Sequence, residues 1–147
     1  VNSVFLMKAI RTVKIKFSGD VEHYDALCLR YLDALNWLSP IVFKTKELNS
    51  WKLQKQFYGT VREKFQIPSQ LTCALFRQVT ATYKTAKSNK RWKLAVYRKP
   101  AMPVSYRRDF SRNKKGVTIF GKPVELIGPR IPESGWKDSK IRRVRKQ

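Results

Sequence analysis

Residues 84–115 read KTAKSNKRWKLAVYRKPAMPVSYRRDFSRNKK, and two changes fall inside them. Up to about Ala86 the apolar residues keep helical spacing. From Trp92 onward they alternate with polar residues, the period of a strand. The same stretch holds twelve Lys or Arg against a single acid, Asp109, with Trp92, Tyr97, Tyr106 and Phe110 set among the charges. Cations neutralise phosphates, and aromatic or guanidinium planes stack on bases, so a nucleic-acid surface accounts for the mixture. A solvated basic loop between two elements is the plainer reading. The alternation and the interleaved rings favour the first.

Downstream, residues 92–98, 104–111, 116–120 and 123–127 are short strand candidates separated by Pro, Gly and Asn. Residues 113–116 and 120–122 have the composition of hairpin turns. Residues 128–147, with two prolines and two glycines, read as a tail or linker. Its Lys140, Arg142, Arg143, Arg145 and Lys146 either track phosphates or belong to a disordered end.

Upstream lie three amphipathic helices. The first covers 21–38, with Tyr24, Leu27, Cys28, Tyr31, Leu35 and Leu38 on one stripe and Asp20 as N-cap; Ser39-Pro40 is expected to end it. The second covers 51–65 behind a Ser50 cap, with Leu53, Phe57, Val61 and Phe65 inward. The third covers 70–86, with Leu71, Ala74, Leu75, Val79 and Thr82 inward and Arg77, Gln78 and Lys84 outward. Before them, KAIRTVKIKF at 8–17 alternates as a strand with one basic face. Its lysines either face nucleic acid or protect an edge. A lone first strand needs partners, and those available lie beyond residue 91. The fold class expected is therefore α+β: a small antiparallel barrel from 8–17 and 91–127, a three-helix bundle at 18–90 inserted after the first strand, and 128–147 outside both.

Composition narrows the function. The chain has 147 residues, 42% of them hydrophobic, enough for a core. Its formal net charge of +22 disfavours a compact free monomer unless a polyanion binds. An anionic membrane is the rival polyanion, but no apolar run approaches the ~20 residues a bilayer span needs. Helix one is too acidic for a membrane-surface helix, and helix two remains open to that reading. Cys28 and Cys73 read as buried thiols in a reducing compartment, without a CxxC zinc motif. His23, the only histidine, reads as exposed and inert. The ten acids are scattered, with no carboxylate cluster for a two-metal site and no Gly-rich phosphate loop. No metal or other cofactor is expected in this chain, and no catalytic residue is assigned.

Taken in order, the strand AIRTVKIKF, the helical block ending in IPSQLTCALFRQVTATYKTAK, the strand SYRRDFS and the hairpin GVTIFGKPVEL resemble the N-terminal half of transposon-encoded TnpB proteins and of the smaller type V CRISPR effectors. The likeness covers about residues 8–126. It implies that the strands form an oligonucleotide-binding-like barrel, the wedge domain, and that the inserted helices form the recognition domain. Together these hold a guide RNA and the guide–target heteroduplex and read a short DNA motif beside the target. The resemblance places motif reading at Trp51 and Gln54, at Ser69, Gln70 and Cys73, and at Ser111. Ser and Gln hydrogen-bond base edges, whereas Cys73 is a poor polar reader. Backbone contacts to RNA or heteroduplex fall to Lys14, Lys16, Arg77, Lys84, Arg91, Arg107, Arg108, Arg112, Lys114 and Lys115, and base stacking to Trp92, Tyr97 and Tyr106. The RuvC-like nuclease half of such proteins, with its catalytic aspartate, has no counterpart in this sequence. The resemblance thus implies a prokaryotic cytoplasmic protein, nucleoid-associated when on DNA, that does not cut alone. Its expected partners are a guide RNA, target DNA and a separate RuvC-type nuclease chain. The alternative reading is a basic structural protein of a ribonucleoprotein or ribosome assembly.

Overall fold

The computed structural model describes residues 16–18, 21–113, 116–127 and 139–142. Three helices run in succession: α1 Val21–Thr45, α2 Ser50–Phe65 and α3 Ser69–Ser88. They are preceded by a short strand, β1 Lys16–Ser18. Five more strands follow: β2 Ala101–Val104, β3 Phe110–Asn113, β4 Gly116–Ile119, β5 Lys122–Ile127 and β6 Ser139–Arg142. The fold is α+β, with the helices inserted between β1 and its partner β5. Residues 8–15 of the expected first strand, with Lys14, lie outside the described residues, as do Lys114 and Lys115.

Helix α1 buries Tyr24, Leu27, Cys28, Tyr31, Ala34, Leu35, Leu38 and Val42, a single stripe at spacings of three and four. It does not stop at Ser39-Pro40 but runs through Pro40 to Thr45. Proline there removes one helical hydrogen bond and crowds the preceding turn. Packing of the extra turn outweighs this. Val42 is fully buried, and Phe43 stacks on Trp92 with ring centroids 6.2 Å apart. The buried Ser39 hydroxyl pairs with the Tyr83 hydroxyl at 2.7 Å and donates to the Ala95 carbonyl at 2.5 Å.

In α2 the cap is Asn49 rather than Ser50: its side-chain oxygen accepts from the Trp51 and Lys52 amides at 3.0 and 3.3 Å. Leu53 and Val61 are buried, while Phe57 and Phe65 meet the Trp37 ring edge-on. In α3 the buried stripe is Leu71, Thr72, Leu75, Phe76, Val79, Thr80 and Tyr83. It is rotated relative to the expected face, so Ala74 and Thr82 are only half-buried. Thr72 and Thr80 can enter the core because their hydroxyls donate back to the Pro68 and Phe76 carbonyls.

Strands β1-β5-β4-β3 form one antiparallel sheet, in that order, and β2 with β6 forms another. Among the described residues there is no closed barrel. Two corrections explain why. The single strand expected at 104–111 is two strands separated by a turn, and β2 leaves the main sheet to pair with β6, Met102 opposite Ile141. That pairing also corrects the tail reading at Ser139–Arg142. Met102, Val104 and Ile141 face inward, and the pair packs on α1 and α3. The second correction concerns 92–98, which has the extended alternation of a strand but belongs to no sheet. Its inward backbone groups bond to helix side chains instead. Asn36 donates to the Tyr97 carbonyl at 2.9 Å and accepts from the Tyr97 amide at 2.8 Å. The Ala95 amide donates to the Tyr83 hydroxyl at 3.0 Å.

The β4–β5 hairpin turns on Phe120 and Gly121, as its composition suggested. Both have positive φ, 49° and 79°, the pair a type I′ turn requires. The sheet is tied to the bundle by the Tyr24 hydroxyl, which donates to the Ile119 carbonyl at 2.8 Å.

Candidate nucleic-acid interface

Between Glu63 and Asp109 the chain has eleven Lys or Arg and no acid. The one acid of residues 84–115 is turned to local structure. Asp109 is buried, and its carboxylate accepts from the Ser105 amide at 2.8 Å, closing the turn that leads into β3. Arg77 and Lys84 lie on the outer side of α3, two turns apart, and both are exposed, as are Lys87, Lys90, Arg91 and Lys93. None of these six cations has an ion-pair partner among the described residues. Arg107 and Arg108 project from the 105–109 turn and are exposed. Arg107 sits at φ 71° with its guanidinium 5.8 Å from the Tyr106 ring. Arg112 is half-buried in β3. Lys16 is in β1 opposite Ile127.

The three rings expected to stack on bases are engaged within the protein. Trp92 is half-buried against Phe43 and Tyr83, with the Tyr83 ring centroid at 5.1 Å. Tyr97 donates its hydroxyl to Thr82 at 2.7 Å; burial pushes this phenol above its ordinary range, against the lowering effect of that bond. Tyr106 packs on Phe110 at 5.4 Å. The alternation that suggested presented rings thus also satisfies a core, and the core takes them. Trp92 keeps one opening: it lines a cleft of about 320 Å³ with Lys46, Lys87 and Lys90. Among the described residues the exposed ring is Trp51, at 61%, with the Lys55 ammonium 5.6 Å from its centroid.

Of the residues expected to read a DNA motif, the fold brings two into contact. The Gln54 amide donates to the Cys73 sulfur at 3.4 Å, joining α2 to α3 across nineteen positions of sequence. Cys73 is accordingly half-buried, not buried. Ser69 is exposed at the start of α3, which has no side-chain cap bond, and Gln70 beside it is half-buried. Ser111 sits in β3 opposite Thr118, in a different element.

Sequence reasoning missed a second group of cations. Arg30 of α1, Arg62 in the last turn of α2 and Lys122 at the start of β5 line one cleft of about 510 Å³, together with His23, Leu27, Gln66, Ile67, Pro68 and Phe120. His23 is half-buried there and meets the Tyr24 ring edge-on at 5.3 Å. No local signal marks this cleft, because its cations come from three segments, each unremarkable alone.

Among the described residues no group of three or more His, Cys, Asp or Glu side chains is placed to hold a metal ion, and no helix is long and apolar enough to cross a membrane. The chain matches no family model, no curated protein and no solved structure.

Proposed function

We propose that this chain is the nucleic-acid-binding module of an RNA-guided DNA-targeting system. It holds a guide RNA and the guide–target heteroduplex, and it reads a short DNA motif from the starts of α2 and α3. Cleavage belongs to a separate RuvC-type nuclease chain. In this reading the four-stranded sheet belongs to an oligonucleotide-binding-like barrel, and the helices are the recognition unit inserted after its first strand. The observation that carries the proposal is the acid-free cationic surface of α3 and the segment after it, next to the polar Gln54–Cys73 pair and the exposed Trp51. Backbone phosphates take the cations, and the helix starts offer groups able to face base edges.

One observation favours a second reading, a structural RNA-binding protein of a ribonucleoprotein assembly. Trp92, Tyr97 and Tyr106 are packed inward, which leaves a surface suited to phosphates more than to bases. The test is purification from the native host with sequencing of bound RNA and mass spectrometry of bound chains. A dominant RNA with a constant scaffold and a variable guide, accompanied by a RuvC-bearing chain, is the expected result. Ribosomal or mixed RNA overturns the proposal in favour of the second reading. In a reconstituted complex, Gln70→Ala and Cys73→Ser should change DNA-motif preference while leaving RNA affinity within about twofold. Unchanged preference in both variants would remove the motif-reading assignment.

A further inference from the structure

The segment at 92–98 is bonded along one edge only. In an extended segment the N–H and C=O of one residue point to the same side, and those of the next residue to the other. Both backbone groups of Ala95 are taken by the Tyr83 and Ser39 hydroxyls, and both of Tyr97 by the Asn36 amide. Leu94 and Val96 therefore turn their backbone groups the opposite way. Among the described residues, none of those four groups has a hydrogen-bond partner. The side chains are exposed as well, Leu94 at 48% and Val96 at 60%. The other large apolar side chains exposed among the described residues, Leu29 and Trp51, lie on helices. Unpaired backbone groups in register, beside exposed apolar side chains, are what a sheet edge offers to an incoming strand.

Charge decides which strand. Arg91 and Lys93 stand before this edge and Arg98 and Lys99 after it, all exposed and without an ion-pair partner among the described residues. A second copy would bring the same cations, and each chain carries a formal charge of +22, so pairing between copies is repelled. Nucleic-acid phosphates suit the cations but not the edge. They carry no donor for the Leu94 and Val96 carbonyls, and the nearby rings, Trp92 and Tyr97, are packed inward away from any base. A peptide backbone brings donors and acceptors at the matching spacing, and carboxylates on it reach the four cations.

We infer that residues 93–98 dock an extended segment of a partner protein, added as a strand and carrying Asp or Glu among alternating apolar residues. Arg77 and Lys84 belong to another element, so this docking does not depend on the nucleic-acid reading.

The probe is a synthetic peptide of about eight residues alternating Glu and Val, with an analogue N-methylated at alternate residues. Amide exchange is followed in the full chain by NMR. In the free chain, Leu94 and Val96 should exchange faster than Ala95 and Tyr97. The peptide, at about ten times its Kd, should slow Leu94 and Val96 about tenfold and leave Ala95 and Tyr97 little changed. The N-methylated analogue, equal in charge but short of donors, should not protect them. Val96→Pro removes an outward amide and keeps the inward bonds of Ala95 and Tyr97; it should abolish peptide binding, whereas Val96→Thr should retain it. The wild-type comparison of the two peptides decides the matter even if the proline variant folds poorly. Leu94 and Val96 amides already protected in the free monomer overturn the inference, because the chain then covers its own edge. Protection that grows with protein concentration alone overturns it in favour of a second copy. Equal binding of the N-methylated peptide overturns it in favour of charge attraction without strand pairing. The absence of peptide binding, or protection of these amides by single-stranded RNA and not by the peptide, overturns it as well.

Discussion

Asn36→Ala tests whether the segment at 92–98 is held by side chains in place of a neighbouring strand. The Asn36 amide closes a two-bond ring with Tyr97, at 2.9 and 2.8 Å, imitating a strand pair. Both groups are partly buried, so each lost bond should cost about 1–1.5 kcal/mol, including the penalty of leaving a backbone group short of a partner. Alanine returns about 0.5 kcal/mol through its better helix propensity in α1. The net expectation is a loss of about 1.5–2.5 kcal/mol. For a chain of this size that lowers the melting temperature by about 3–10 °C. Urea denaturation reads it directly: the midpoint should fall with little change in slope. Asn36→Asp keeps the acceptor for the Tyr97 amide but sets a carboxylate oxygen against the Tyr97 carbonyl, and should be at least as damaging as alanine. Amide exchange at Tyr97 should quicken in both. A change under about 0.5 kcal/mol for Asn36→Ala, or an aspartate variant as stable as wild type, would refute the reasoning, because the segment would then be held by ring packing alone.

Three further outcomes follow from the same geometry. Asn49→Ala removes the α2 cap and should cost about 1 kcal/mol in urea denaturation, whereas Ser50→Ala should be near neutral. Burial, with a smaller push from Asp25, raises the Cys28 thiol to about 11. The folded chain therefore keeps that proton where the unfolded chain has lost it. The stabilisation is complete below about pH 9 and drains away as pH rises toward 11, with a slope of at most about 1.4 kcal/mol per pH unit that Cys28→Ala should flatten in pH-dependent melting. Finally, Arg77→Ala and Lys84→Ala should each reduce the log–log salt slope of RNA binding by about one, equally for RNAs of different sequence; an unchanged slope would place α3's outer face away from the strand.

The sequence carried the helices because their periodic stripes are long, and it carried the β4–β5 hairpin because Gly121 tolerates positive φ. It misled where a local rule met a long-range contact. Pro40 is a strong stop by local rules, yet Phe43, Tyr83 and Trp92 form a ring cluster that only the folded chain brings together. Residues 92–98 alternate as a strand should, but alternation does not say what partners the backbone groups, and here the side chains of Asn36, Ser39 and Tyr83 do so. Pairing of β2 with β6 joins Met102 to Ile141 across a stretch that reads as a Pro- and Gly-rich tail, and four residues of weak alternation gave no warning of it. The rotation of the α3 stripe has a similar origin: threonines look polar until their hydroxyls are seen to bond within the helix.

For the interface, charge was legible and direction was not. A Lys or Arg on a short surface segment has few places to go but outward, so the cations of α3 and of 90–93 fell where the sequence suggested. A ring in a basic, alternating segment has two possible fates, and burial of its apolar area is worth about 25 cal/mol per Å² within the protein before any ligand arrives. Trp92 and Tyr97 follow the larger and permanent gain. The consequence reaches the function proposed above. With those rings turned inward, the surface from α3 to 99 can neutralise a strand but has little with which to tell one base from another. Discrimination must then come from elsewhere, and Trp51, Gln54, Gln70 and Cys73 at the starts of α2 and α3 are the groups with the chemistry for it. Holding and reading thereby fall to different groups, exposed cations and polar side chains, which is why charge variants should change affinity and polar variants preference.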